Sequence, residues 1–388
     1  MKKLTGYLIL IFSVIFYLFH PLKYDYTYIL LCGFLYFILT FIYYKLEKKT
    51  NYFDFDSVFI LVYFIATQYF QIFLHNTNLV DRYFVFLFGY DENLLPQASG
   101  LSLLGLGAYL AGSLIFKQKK KDIPKSDFSI KLNKNTSNNV LYILSILSFI
   151  GYFAFGGYQR MVDLYAQKEN IAQEVGIASY LFALCPAFLI VAIVIEFVQI
   201  KNKYNRFSVF YFSKLGMSVI SIIIFSILIT GSRTLPMQLI LVVIGLYTYL
   251  FKPFGMIKFF TYIAAGIFVL FLVVVLRGAF EGNNNFIASD VISDIVGVVR
   301  ASFAAIEYTN KYDYTYGESM LSPLLSPIPF AQNLFINVLG FEYEMMSSSL
   351  LYTYYTLGKV ENLGFGTNIV ADLYFSFGSF GEIGRAHV

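Results

Sequence analysis

The chain has 388 residues, of which 58% are hydrophobic and 13% charged, and its formal net charge is +4. A soluble domain carries about 25% charged residues, and aromatics here reach 20%, from 43 Phe and 33 Tyr with no Trp. These values exclude a soluble enzyme, a disordered chain and a nucleic-acid binder working through a basic surface. They point to a chain whose main solvent is lipid.

Taken in order, nine apolar segments read as membrane-spanning helices: Leu4–His20, Tyr28–Tyr44, Ser57–Leu74, Ala98–Phe116, Val140–Phe155, Ser179–Ile200, Leu215–Thr230, Leu235–Phe251 and Phe259–Leu276. Most approach the ~17–25 residues that cross about 30 Å of hydrocarbon. In lipid each must satisfy its own backbone, which makes it a helix. The first segment follows Lys2 and Lys3 but lacks a small-residue cleavage site, so it reads as an uncleaved helix rather than a signal peptide. Tyr83–Tyr90 is too short to span.

Placing the N-terminus in the cytoplasm puts most of the 28 basic residues in short inner loops, including Lys45, Lys48, Lys49 and the Lys-rich run Lys117–Lys134. Acidic residues lean to the other side. This asymmetry is the positive-inside pattern. The expected fold is therefore all-α: a polytopic integral membrane helical bundle over residues 1–276, with a large extracytoplasmic loop over 277–381. Residues 382–388, Glu-Ile-Gly-Arg-Ala-His-Val, match the in-frame translation of a common sequencing adapter. They are expected to be foreign, with the natural chain continuing into a further span beyond Gly381. Glu196, the one acid inside a span, lies near the cytoplasmic end of its helix and is expected to snorkel.

Cys32 and Cys185 fall in apolar runs and read as buried small hydrophobes, while His20 and His75 are unaccompanied and His387 lies in the tail. No disulfide framework, metal site or nucleotide loop is present in the pattern, so no cofactor or metal is expected. Chemistry falls to Arg, Lys, Asp, Glu, Tyr and backbone, on the outer loops.

Five constellations there carry candidates. Gly231-Ser-Arg-Thr-Leu-Pro236 joins two spans. Ser232 or Thr234 can cap the following helix, whose N-terminus attracts anions, and the Arg233 fork fits two phosphate oxygens. Its plainer reading is a capped hairpin with a snorkelling arginine. Arg277 opens the large loop at the outer end of the ninth span, where it can bind headgroups or anchor the helix.

From Ile287 to about Tyr308 the spacing predicts an amphipathic helix, with an apolar stripe through Val291, Ile295, Val298, Ser302 and Ile306. Arg300 and Glu307, seven apart, share a face on the far side. The stripe can rest in the membrane interface, or pack on the bundle and offer Arg300 to a cavity. A solvated Arg–Glu face is the bland alternative. Next, Tyr316 and Glu318 precede a proline-rich stretch through Pro329. The tyrosines there can stack on sugars or form an aromatic belt. Finally, Gly364 and Gly366 allow an unusual turn before a helix capped by Thr367 or Asn368. Asp372 on that helix is a candidate base or an arginine's orienting partner. In the loop after the fifth span, Arg160 stands among mixed charges.

In this order, Gly231-Ser-Arg233, Arg277-Gly278, Tyr316-Gly-Glu318 with Ile328-Pro329, and Gly364-Phe-Gly366 with Leu373-Tyr374 and Phe377-Gly378 resemble the Wzy-type polysaccharide polymerases, the oligosaccharide repeat unit polymerases. The resemblance implies a metal- and nucleotide-independent glycosyltransferase at the outer face of the cytoplasmic membrane. One polyprenyl-diphosphate-linked oligosaccharide is its donor and a second, lipid-linked repeat unit its acceptor. Partners implied are the bilayer and, in such pathways, flippase and chain-length regulator proteins, with no nucleic acid. Carried onto this chain, Arg233, Arg277 and Arg300 would hold the diphosphate. Glu307 or Asp372 would take the acceptor proton. Ser232, Arg160, Tyr316, Glu318, Gly364 and Gly366 would contact substrate. Two departures stand out: Phe330 follows the Ile-Pro pair where the family has a basic residue, and the chain stops after the Phe-Gly motif. A ligase-like glycan transferase and a flippase of lipid-linked glycans are the alternatives. A transporter should show repeated halves or mid-membrane charges.

Overall fold

The computed structural model describes residues 2–77, 84–116, 138–157, 159, 177–229, 234–281, 293–326, 328, 330–358 and 365–384. Among them every regular element is helical, and no strand occurs. Each of the nine apolar segments forms a helix: α1 (Lys2–Leu18), α2 (Tyr26–Glu47), α3 (Phe55–Thr67), α4 (Leu95–Phe116), α5 (Asn138–Ala154), α6 (Ile177–Tyr204), α7 (Lys214–Ile229), α8 (Thr234–Leu250) and α9 (Met256–Glu281).

By length and composition three stretches of the described residues are able to cross a membrane: Tyr26–Glu47, Glu92–Phe116 and Tyr180–Tyr204. The stretches Phe55–Thr67, Asn138–Ala154, Lys214–Ile227, Leu235–Leu250 and Met256–Phe268 are apolar but shorter, and α3 shows why length matters. It has 13 residues and rises only about 20 Å against about 30 Å of hydrocarbon. The expected third span does not run unbroken to Leu74. The chain passes into a π-helical turn at Phe70–Leu74, closed by His75 N–H donating to the Phe70 carbonyl (2.9 Å).

The chain parts into two compact units. The first joins α1–α4 to the segment from residue 287 onward, and the second comprises residues 50–55 and 120–286. In the first, α4 is the most enclosed long helix, with 83% of its apolar window buried. Small residues explain the close approach. A Cβ on Gly107 would collide with the Ser13 hydroxyl of α1, and one on Gly6 would meet Ile115 at 2.9 Å. Such small-residue contacts let helix backbones pack where water supplies no hydrophobic drive. Helix α2 starts at Asp25, whose carboxylate accepts from the N–H of Thr27 (2.9 Å) and Tyr28 (3.3 Å).

The loop-borne helices of this unit are α10 (Ser293–Gly297), α11 (Arg300–Lys311), α12 (Leu321–Leu325), α13 (Ala331–Asn337), α14 (Ser348–Leu357), α15 (Ile369–Phe377) and α16 (Ser379–Gly384). The single helix expected from Ile287 to Tyr308 is broken in two, and residues 287–292 lie outside the described residues. Gly297 and the β-branched Val298 and Val299 weaken the helix here. The Val298 carbonyl is also taken by the Asn368 side chain (2.8 Å). The solvated Arg–Glu face is overturned as well, since every residue from Arg300 to Ile306 is buried. The tail begins inside the fold: α16 continues to Gly384 and Glu382 is buried.

In the second unit, residues 50–55 are stitched to the end of α8 and the start of α9. Tyr52 N–H donates to the Phe254 carbonyl (2.9 Å) and Phe254 N–H to Asn51 Oδ1 (3.0 Å). Glu196 of α6 does not snorkel. It is 4% exposed, and its two carboxylate oxygens accept from the Tyr142 hydroxyl and the Ser213 N–H. A buried charge is tolerated when it is hydrogen-bonded in this way.

Candidate functional site

Arg300 is the first residue of α11, and Glu307 follows two turns later on the same face. The Arg300 side chain is 4% exposed. Its Nη2 donates to the Gly89 carbonyl (2.8 Å) and lies 3.5 Å from Glu307 Oε2. The guanidinium carbon also stands 5.8 Å from the centre of the Tyr90 ring. Gly89 has φ +63, the left-handed region that glycine enters freely, and this turns its carbonyl-bearing segment toward α11. Glu307 Oε1 accepts, at 3.4 Å, from the N–H of Asp91.

What is missing from this cluster is as informative. Among the described residues neither Nε nor Nη1 of Arg300 meets a hydrogen-bond partner, and neither does the hydroxyl of Tyr352. Tyr352, on α14, is fully buried, and its ring packs on Phe365 with centroids 5.1 Å apart. Burial pushes its phenol well up. The Arg300 charge pulls it down and Glu307 pushes it further up, so both charges lie within electrostatic reach. Two unpaired guanidinium nitrogens and an unpaired phenol hydroxyl, all buried, cost about 1–3 kcal/mol apiece. A free guanidinium N–H suits an anionic oxygen.

The edge of the cluster is aromatic. The Tyr90 hydroxyl meets His75 Nδ1 at 3.0 Å. Burial, with Glu92 adding, pushes Tyr90 up to about 12. Burial lowers His75, against the opposing pull of Glu92, so His75 favours its neutral form.

A second carboxyl sits elsewhere in the same unit. Asn368 caps α15 by accepting from Ala371 N–H (3.0 Å), and its amide donates to the Val298 carbonyl and to the Ser302 hydroxyl (3.0 Å). This ties the start of α15 to α11. Asp372, one turn along, is half-buried and accepts from the Ser348 hydroxyl. Burial raises its carboxyl above the ordinary range, against the hydrogen bonds from Ser348 and Thr367. The structure therefore gives Asp372 hydroxyl partners, while the ion pair of Arg300 is with Glu307. The expectation of Asp372 as an arginine's orienting partner is not met among the described residues. The reason is location, because Asp372 faces a cavity of about 690 Å³ lined mainly by apolar side chains.

The Tyr316–Glu318 motif is pinned to the end of α15. Thr315 and Tyr316 N–H groups donate to the carbonyls of Phe375 (2.9 Å) and Ser376 (3.0 Å). Tyr316 (φ 49) and Gly317 (φ 94) make the left-handed turn that follows. The Glu318 carboxyl is raised, by burial first and by the like charge of Glu342 second. Gly366 does not adopt a left-handed turn. Its surroundings are tight, since a Cβ there would lie 3.0 Å from Val298 Cγ1, which would have to give by a few tenths of an ångström.

The structure thus brings Arg300 together with Glu307, and Tyr316 and Glu318 together with the helix of Asp372. Ser232, Arg233, Arg160 and Gly364 lie outside the described residues, and Arg277 is described only as backbone of α9. Sequence reasoning missed Gly89, Tyr90 and Tyr352. The only available signal was the position of 76–97 as an outer loop, because nothing in the spacing ties it to residues more than 200 positions away. No protein-family model, no curated protein and no solved structure matches the chain.

Proposed function

We propose that this chain is a Wzy-type repeat unit polymerase. It joins polyprenyl-diphosphate-linked oligosaccharides at the outer face of the cytoplasmic membrane, through nine spans with the N-terminus inside. The observation that carries the reading is Arg300, a buried guanidinium with two nitrogens unpaired among the described residues. The sorting of lysines to one side of the apolar helices and the order of the short motifs support it.

In this reading the donor's diphosphate takes the free N–H groups of Arg300 and displaces Glu307 from it. Glu307, released beside the bound donor, accepts the proton of the acceptor's sugar hydroxyl. That oxygen bonds to the anomeric carbon, and the bond from the anomeric carbon to the diphosphate oxygen breaks. The electron pair leaves on polyprenyl diphosphate, whose growing negative charge Arg300 stabilises with no further reorganisation. A preorganised cation in a site closed to water acts more strongly than the same charge in solvent.

The test is purified full-length protein in bilayers given lipid-linked repeat units, with products separated by length. A ladder of repeat units is expected. Transfer to a different acceptor makes the enzyme a ligase, and neither product leaves a flippase as the remaining alternative.

A further inference from the structure

Between Glu318 and Glu342 the chain carries no charged residue. Yet Leu324, Ile328, Phe330, Leu334, Val338 and Leu339 are each more than half exposed. Soluble surfaces rarely present a continuous apolar stretch of this kind. Phe330 sharpens the point. It holds φ 63, a region that bulky side chains avoid, and the residue is 70% exposed.

This stretch borders the cavity of about 690 Å³. Met320 and Leu324 belong to both, and Ile369, Leu373, Phe377 and Phe380 line the cavity with them. The polar groups in the lining are Ser319, Ser348 and Asp372. Ser319 is already engaged, with Thr315 (2.8 Å) and Ser376 (3.1 Å), and Ser348 donates to Asp372. A sugar or other polar guest would leave its hydroxyls unpaired against such walls, whereas an apolar chain loses nothing there. A bilayer is at hand, because Tyr26–Glu47 and Glu92–Phe116 of the same unit are long and apolar enough to cross one.

We propose that this cavity binds the hydrocarbon chain of a membrane lipid, admitted from the bilayer past the uncharged segment 320–341. The raised carboxyl of Asp372 agrees with this, since an apolar guest favours the neutral acid already held by Ser348. This site is distinct from the anion cluster at Arg300 and does not depend on the transfer reaction.

The test uses full-length protein in phosphatidylglycerol nanodiscs containing either a phosphatidylglycerol with a diazirine on one acyl chain or a polyisoprenyl phosphate with a diazirine on its chain. After irradiation, adducts are mapped by mass spectrometry. Adducts on Leu324, Ile369, Leu373 or Phe377 from either probe are expected, and which probe gives them names the lipid. Filling the cavity with Ile369→Trp should cut those adducts about tenfold, the weakening that 1.4 kcal/mol of lost affinity produces. Labelling of the exposed Phe34 and Phe41 on α2 should stay unchanged, which reports that the variant is folded. If that control falls, Leu324→Trp at the exposed rim replaces it. Cavity residues unlabelled by both probes, while α2 is labelled, would overturn the proposal. So would adducts undiminished in a folded Trp variant. Because the readout is labelling, the outcome stands whether or not the protein makes polymer.

Discussion

Glu196 and Arg300 are both buried charges in an apolar chain, and they are treated in opposite ways. Each oxygen of Glu196 receives a donor, from Tyr142 and from Ser213. Arg300 spends one nitrogen on Gly89 and Glu307 and keeps two others unpaired. A satisfied buried charge ties helices together. One left unsatisfied is held against its own solvation cost, and such a cost persists at sites that await a ligand. The difference separates a structural charge from a candidate catalytic one, although both are equally buried.

The sharpest way to break this contrast is to remove the charges one at a time. Arg300→Ala should lower polymer laddering by at least about 100-fold, the scale of losing a preorganised donor to developing charge, while the protein still inserts and folds. Normal ladders from that variant would sink the anion-site reading. Glu196→Ala should leave transfer intact and cost about 3 kcal/mol of stability, because two buried donors lose their acceptor. A loss under about 1 kcal/mol in reversible unfolding from micelles would contradict the structural role assigned to it.

The tyrosines sharpen the same comparison with smaller effects. Tyr142→Phe should destabilise the fold by about 1.5–3 kcal/mol, the worth of a hydrogen bond to a charged group, without slowing transfer. Tyr352→Phe removes a hydroxyl that has no partner among the described residues, so stability should hold or rise while transfer drops about tenfold. The reverse pattern, measured on the two variants side by side, would exchange their roles.

The smallest effect concerns Asp372. Burial raises its carboxyl in the folded state, so the folded chain holds this proton more tightly than the unfolded chain. Its contribution to stability is fully present below the ordinary aspartate value of about 3.9. It is lost as pH rises through the raised folded value. Asp372→Asn should therefore be more stable than the parent at neutral pH, and the gap should close below about pH 4. Unfolding measured at both pH values checks this, and a gap independent of pH would refute it.

Much of the architecture is legible in the chain. Long apolar runs between lysine-rich loops become helices because nothing else satisfies a backbone in an apolar setting, and all nine do so. The pairing of Arg300 with Glu307 is legible too, since a spacing of seven returns to the same helix face. Several features are not. At the break, the Val298 carbonyl accepts from the amide of Asn368, 70 residues away. The Ile287–Tyr308 pattern reads as continuous because periodicity sees only its own segment. Glu196 reads as a snorkelling acid because Tyr142 and Ser213 are invisible until α5, α6 and the start of α7 pack. Gly366 reads as a turn residue, when its backbone is not left-handed and its close neighbour is Val298.

The sequence by itself determined the all-helical class and the apolar helical elements, three of them long and apolar enough to cross a membrane. These follow from local composition and from transfer free energies that add along the chain. Only the tertiary structure decided which charges are satisfied. The residues that meet Arg300 come from loop 84–94 and from the next turns of its own helix, and Tyr352 of α14 lies within electrostatic reach. The apolar cavity likewise needs α12, α14, α15 and α16 at once. Contacts between segments far apart in the chain are set by packing and loop closure, and no local pattern encodes them.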